Sequence, residues 1–428
     1  MAWFLFLAAL VIGAPIAFSI LLALFWFMDA AGLPYHPRIV AAEIFRGLAS
    51  FPLLAIPLFV LAGEVMNATG ITQRIIAFAM VLVGRLRAGL ALVNIWASVI
   101  FAGLSGSAVA DTSAIGRVFI PEMERAGYPR DFAAALTAAS SVIGPIIPPS
   151  IPVIIYALTV TGVSVPALFL GGVGPGILLA IALSAYVMVR IRHIRPGPAT
   201  DRLAVEALPS ARGAILGGLL PLMMPVFVVG SIVLGVVTPT EAAALAVFYA
   251  LILGGLVYRE LRLADLPRIL AESMRDSAVI LIIIAAVSAA NWVLTYNRVP
   301  NMLTDWALSS IDGPTTFLWG VVVLFLLVGL FLEGIAAMLV LVPILHPIAV
   351  SLGIDPTHFG IVVIFNLMIG LITPPLGLCL FVAEAVANVG LGALVRRILP
   401  FFLVEVAVLI VITFVPQTVT WLPRLFGF

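Results

Sequence analysis

Two stretches decide how this chain is read: GPIIPPS, Gly144 to Ser150, and GLITPPLG, Gly370 to Gly377. Each places two adjacent prolines inside a strongly apolar run. Proline removes a backbone donor and clashes with the preceding turn, so neither run forms an unbroken helix. The surroundings are hydrocarbon. The 428-residue chain is 63% hydrophobic and 10% charged, with a mean hydropathy of +1.27; a soluble domain is about one quarter charged. Apolar runs of roughly 20 residues therefore read as membrane spans. Unpaired carbonyls are costly in hydrocarbon, so broken backbone persists only where something satisfies it.

Spans are expected at about 2–28, 51–67, 132–160, 167–190, 213–236, 239–258, 277–296, 357–386 and 400–421. The first run lacks a basic leader region and a clear cleavage site, so it reads as a retained span. Two further apolar stretches, about 89–126 and 315–350, are expected as re-entrant hairpins. Segments 71–87 and 300–310 read as interfacial helices, and 37–50 and 261–277 as arm helices lying along the membrane surface. There is no lysine, and all 21 positive residues are arginine. With a cytoplasmic N-terminus, only Arg38, Arg46, Arg298 and Arg424 fall outside, as the positive-inside rule demands. Counting either hairpin as a crossing would destroy that bias. The C-terminus is then periplasmic.

The two broken motifs belong to a repeat. Gly144 and Gly370, Pro148 and Pro374, Pro149 and Pro375, Pro121 and Pro347, and Gly127 and Gly353 share one offset of 226 residues. The chain divides into a first repeat over 1–190, a linker and bridging span over 191–238, and a second repeat over 239–428. One hairpin opens from the cytoplasm and the other from outside, which makes the repeats inverted. Secondary transporters use this architecture, with sites near the midplane at discontinuous helices. The fold class is an all-α polytopic membrane protein, an inverted repeat with two re-entrant hairpins and two discontinuous helices.

Other chemistries lack their residues. Cys379 is the only cysteine, so an internal disulfide and a cysteine metal cluster are excluded. The four histidines are scattered without metal-ligand spacing. The absence of lysine removes a P-loop. No nucleophile–base pair points to an enzyme, and no basic aromatic patch points to nucleic acid.

At each break the freed carbonyls, with the hydroxyl of Ser150 or Thr373, offer hard oxygen ligands to a cation such as Na⁺. The new helix N-terminus offers N–H groups to an anion. The alternative is a kink relieved by neighbouring helices. The first hairpin carries GLSGSAVADTSAIG, Gly103 to Gly116, whose Ser105, Gly106 and Ser107 suit a tight tip. Asp111 is either a functional intramembrane acid or a cap on the second hairpin arm. In the second hairpin Glu333 and Gly334 mark the turn, with Glu333 read first as structural support. Asn366 lies one helical turn before Gly370 and is expected to face the same site. Asn94 reads as an interhelical hydrogen bonder, and Glu241 as an acid opposing a helix dipole.

SGSAVAD (from Ser105), GPIIPPS, EGIAAMLVLVPILHPIA (from Glu333) and GLITPPLG, in this order and spacing, resemble the large membrane subunit of TRAP (tripartite ATP-independent periplasmic) transporters, over essentially the whole chain. The resemblance implies a fold similar to divalent-anion/sodium symporters. It implies sodium-coupled uptake of an organic acid across the bacterial inner membrane by an elevator motion. It implies two partners: a periplasmic solute-binding protein and a small four-helix membrane subunit, expected here as a separate polypeptide. Carried over, the first cation site involves Ser105, Gly106, Ser107, Gly144 and Pro148. The second involves Gly334, Gly370, Thr373 and Pro375. Solute is expected between the tips, near Ser150 and Gly377, with Asp111 and Asn366 as further solute-binding candidates. Na⁺ is the coupling ion, and no other cofactor is expected. The alternative is a stand-alone sodium/dicarboxylate symporter needing neither partner.

Overall fold

Where the sequence places paired prolines, the chain leaves the helix and resumes it. The computed structural model describes residues 2–30, 32, 37–84, 86, 88–190 and 211–428. The polar linker over 191–210, with His193, lies outside them, as do Pro34, His36, Arg85 and Arg87.

The first repeat opens with α1 (Ala2–Val11) and α2 (Ile16–Ala30). The expected single span over 2–28 is therefore two helices, and they pack against each other. Gly13, at φ +87°, breaks the chain here, and Pro15 supplies no donor to re-form it. The arm α3 (Pro37–Leu48) follows. A short 3₁₀ turn, Phe51–Leu54, leads into α4 (Ala55–Ala68). Next come α5 (Ile71–Val83), the hairpin α6 (Gly89–Ser105) and α7 (Ala108–Arg125), the broken helix α8 (Arg130–Ser141) and α9 (Ile151–Thr159), and α10 (Val165–Arg190).

The bridging helix is α11 (Ala211–Val233). After it, α12 (Pro239–Leu251) starts in a capping box: Thr238 N–H donates to Glu241 at 2.7 Å, and Glu241 N–H to the Thr238 hydroxyl at 3.3 Å. This cap accounts for Glu241. A π-helical turn, Ile252–Val257, extends α12. The second repeat continues with α13 (Leu266–Tyr296), α14 (Val299–Ser310), the hairpin α15 (Gly313–Val328) and α16 (Gly334–Ser351), the broken helix α17 (Pro356–Gly370) and α18 (Leu378–Ala387), α19 (Leu391–Phe414) and α20 (Gln417–Leu425).

The arm expected over 261–277 and the span expected over 277–296 form one continuous helix, α13. Pro267 stands in its first turn, where a missing donor costs nothing, and no glycine or proline follows before Tyr296. The last expected span, 400–421, is shifted to 391–414, with Pro416 dividing α19 from α20. Among the described residues, seven helical segments are long and apolar enough to cross a membrane. Six overlap expected spans. The seventh is Gly334–Ser351, the second hairpin's outgoing arm, so length alone does not separate a hairpin arm from a crossing.

The repeat survives as architecture. Ala108 and Gly334, Arg130 and Pro356, and Val165 and Leu391 open corresponding helices, each pair 226 residues apart. The packing is reciprocal: α12 lies on α4 as α2 lies on α13, and α7 lies on α18 as α16 lies on α9. Each hairpin thus supports the broken helix of the other repeat. Buried polar bonds pin α6 to α8, since Asn94 Nδ2 donates to the Thr137 hydroxyl at 2.7 Å and Ser140 Oγ to Asn94 Oδ1 at 3.2 Å.

Outside the spans, Arg74 fastens three segments. Its guanidinium bonds both oxygens of Glu260, at 2.7 and 3.2 Å, and lies 3.8 Å from the Tyr258 ring centroid. Tyr258 in turn donates to Gly217 O of α11 at 3.0 Å. The bond from Arg74 holds the Glu260 carboxyl below its ordinary range. Its stabilisation is therefore present above the unfolded carboxyl value of about 4.3 and is lost as pH falls below it. Glu260→Gln should lower the apparent melting temperature at neutral pH by at most about 2 °C. The difference should close as the buffer is taken below about pH 4, as followed by thermal unfolding in detergent.

Candidate functional site

Both hairpin tips and both breaks meet at one cavity of about 160 Å³. The first tip supplies Ser105, Gly106 and Ser107, and the second supplies Glu333. The breaks are represented by Pro145, Ile151, Leu371 and Leu378. The far wall, from α4 and α13, carries Glu64, Asn67 and Asp276. Ile151 and Leu378 open α9 and α18, Ser107 caps α7, and Glu333 caps α16. Four helix N-termini thus converge on the cavity, each carrying partial positive charge.

The caps are built from side chains. Ser107 Oγ accepts from Ala110 N–H at 3.4 Å, Ser150 Oγ from Val153 N–H at 3.3 Å, and Glu333 Oε2 from Ala336 N–H at 3.1 Å. The cap of the first hairpin's outgoing arm is therefore Ser107. Asp111 sits one turn further in, fully buried. Its Oδ1 accepts from the Ser105 hydroxyl, and its Oδ2 has no protein partner among the described residues. That oxygen faces Gly144: a Cβ built on Gly144 would stand 2.3 Å from it.

The breaks are turns of tight hydrogen bonds around cis prolyl peptides, Pro148–Pro149 and Pro374–Pro375. Ile143 N–H reaches only to Ser140 O, and Thr373 N–H only to Gly370 O, both at 3.1 Å. Among the described residues no protein donor reaches the carbonyls of Gly144, Pro148 and Pro149 in the first break, or of Pro374 and Pro375 in the second. The Thr373 hydroxyl donates to Ile369 O at 2.7 Å, leaving its lone pairs free to ligate. The Ser150 hydroxyl donates to Pro145 O.

Glycine is required where tip meets break. Gly106 has φ +58°, and a Cβ on it would lie 2.9 Å from Pro149 O. In the second repeat Gly370 and Gly329 pack backbone to backbone, a Cβ on Gly370 lying 3.1 Å from Gly329 Cα.

The structure therefore gathers Ser105, Gly106, Ser107, Asp111, Gly144 and Pro148 around the first break. Gly370, Thr373 and Pro375 form the second break, and Gly334 packs on Met368 and Leu367 just before it. Ser150 and Gly377 cap helices that point at the cavity and do not themselves line it. Asn366 is not among the residues lining the cavity: its Nδ2 donates to Val322 O on α15 at 3.0 Å, which ties the broken helix to its hairpin, and its Oδ1 is buried without a partner among the described residues. Sequence reasoning gave no role to the far wall. Its signal was the pair Glu64 and Asn67, three residues apart on one face of an otherwise apolar helix, opposite Asp276.

The comparisons agree with this architecture. The family described as "Tripartite ATP-independent periplasmic transporter, DctM component" matches residues 3–418. The sialic acid TRAP transporter large permease protein SiaM of Vibrio cholerae is 40% identical over 98% of this chain and 97% of its own. The C4-dicarboxylate TRAP transporter large permease protein DctM of Pseudomonas aeruginosa is 40% identical over 92% of this chain and 91% of its own. The crystal structure of the Alcanivorax borkumensis YdaH transporter shares the fold, with a TM-score of 0.61, 16% identity and 90% coverage of both chains. These relatives are permeases, and the tripartite family displaces the stand-alone symporter as a reading.

Gly106→Ala should destabilise the protein by about 1–3 kcal/mol, from the left-handed backbone and the contact with Pro149. The check is a melting temperature several degrees lower. Gly390→Ala, where a Cβ meets nothing within 4 Å, should leave it unchanged.

With residues 3–418 matched and its candidate site lined from both repeats, the chain is a multi-pass membrane permease that belongs to the DctM family, the DctM component of tripartite ATP-independent periplasmic transporters.

Proposed function

We propose that this chain is the large permease subunit of a sodium-coupled transporter that imports an organic acid across the inner membrane by an elevator motion. The observation that carries the reading is the convergence of two hairpin tips, two broken helices and four helix N-termini on one cavity. The free carbonyls of the first break, with Ser105, Ser107 and Gly144, hold one Na⁺. Those of the second, with Gly334, Gly370 and Thr373, hold another. The solute carboxylate lies between the tips, on the N-termini of α9 and α18 capped by Ser150 and Gly377.

No basic side chain lines the cavity among the described residues, while Glu64, Asp276 and Glu333 do. An anion therefore binds well only after cations have entered, because helix ends alone carry about half a charge each. This makes sodium occupancy a condition of solute binding. The hairpins and broken helices move together past α2, α4 and α13. A periplasmic binding protein delivers the solute, and a small four-helix subunit, as a separate chain, braces the static part. The N-terminus is cytoplasmic and the C-terminus periplasmic.

The test is thermal unfolding of the purified chain in NaCl against KCl at equal ionic strength. A ligand that binds only the folded state raises apparent stability by mass action. Sodium should raise the melting temperature. Thr373→Ala and Ser105→Ala should each move the sodium midpoint upward by about tenfold. Equal melting in both salts, with the fold intact, would overturn the sodium reading.

A further inference from the structure

Glu405 stands in the middle of α19, a 24-residue apolar helix, and is fully buried. Among the described residues no protein group bonds either of its carboxylate oxygens. The corresponding residue of the first repeat, 226 positions earlier on α10, is Leu179. The repeat therefore tolerates an apolar side chain here, and the packing of this position does not by itself call for an acid.

Its surroundings locate it. One end of α19 is fixed to α8 by Arg397, whose Nε bonds Asp131 at 2.7 Å, and by Phe401 against Phe132 at 5.7 Å between centroids. Glu405 lies two turns beyond Arg397, about 12 Å along the helix, toward the end of α8 where the first break begins. α18, which opens at the close of the second break, packs against α19 and also against α7 and α8 of the first repeat. Glu405 is thus buried inside the bundle of helices that carries both breaks.

The cationic groups on the elements packed against α19 are spoken for or distant. On α8, Arg130 pairs with Glu124 and Asp131 with Arg397. On α17, His358 bonds Ile412 O at 2.8 Å. On α10, Tyr186 stacks edge-on against Phe401, and Arg190 is exposed. On α18, Glu384 accepts from Leu391 N–H at 3.0 Å. Arg396 of α19 itself and Arg424 of α20 are exposed. Among the described residues no fixed charge bonds Glu405.

An isolated buried carboxylate costs many kcal/mol unless its charge is cancelled. Intramembrane acids of this kind mark ion and proton pathways. We infer that Glu405 is a further binding site for a monovalent cation, a proton or a sodium ion, carried with the bundle and separate from the sites at the two breaks. One more positive charge would then accompany the bundle than the two breaks supply, and the number of cations moved per cycle would depend on Glu405.

The experiment uses the full purified chain and its Glu405→Gln variant. Apparent melting temperature is read on two axes: pH at fixed sodium, and sodium at fixed pH with choline as replacement. If the cation is a proton, wild-type stability falls as pH rises and Glu405→Gln flattens that slope. If it is sodium, the variant lacks one phase of the wild-type sodium titration or moves its midpoint by at least about tenfold. Identical pH and sodium responses in the two chains would overturn the inference. So would a Glu405→Gln chain that fails to fold, because a neutral side chain of the same shape is what the site should accept. A wild type without any sodium response would sink the sodium reading of the breaks while leaving the pH axis to decide Glu405.

Discussion

A carbonyl without a partner is the constraint on which this structure turns. In hydrocarbon the helix is favoured because it pairs every backbone group within one segment. Two proline pairs break that rule at equivalent places, and the rest of the fold compensates. The chain brings a hairpin tip to each break and covers both with helices of the other repeat. Gly106 and the Gly329–Gly370 pair let backbone approach backbone there. What remains unpaired among the described residues is a small set of carbonyl oxygens at the breaks, of the hard kind that suits a hard cation.

The electrostatics of the cavity follow from the same choice. Two broken helices and two hairpin arms point four N-termini at one place, an arrangement that favours an anion without any basic side chain. Arginine would bind a carboxylate more tightly, yet a permanent positive charge would have to be carried empty through the membrane, at high cost. Helix ends and exchangeable cations avoid that difficulty. On the function proposed above, Glu64 and Asp276 on the far wall would strengthen the dependence on cations, since they oppose an anion that arrives alone.

Much of this was legible in the sequence, because it rests on covalent limits. Paired prolines in apolar runs mark breaks with little regard to context, and the offset of 226 ties the halves together. The Ser-Gly-Ser tip and the helix start at Glu241 are readable for the same reason. What was not legible depends on packing. Asn366 lies at the right height on its helix but faces α15, because rotation about the helix axis is set by neighbours. The first run looked continuous by hydropathy, which does not register one glycine in a left-handed turn. The arm and span of 261–296 differ in composition while sharing one backbone, so a change in polarity was read as a boundary. Asp276 belongs to the site only through tertiary contact between α13 and α4.

The reciprocal packing of the repeats bears on how such a site could move. The first hairpin rests on α18 and the second on α9, so neither tip is attached only to its own break. Lifting one hairpin from the cavity would uncover the broken helix of the opposite repeat as well as its own. Interiors packed this closely shift between discrete arrangements and resist continuous deformation. The hydrogen bonds from Asn94 to α8 and from Asn366 to α15 add a second tie within each repeat. A unit bound in this crossed way favours displacement as one body over separate opening of two gates. Under the elevator motion proposed above, the surface along which it would slide is the far wall, where α4 and α13 meet the tips.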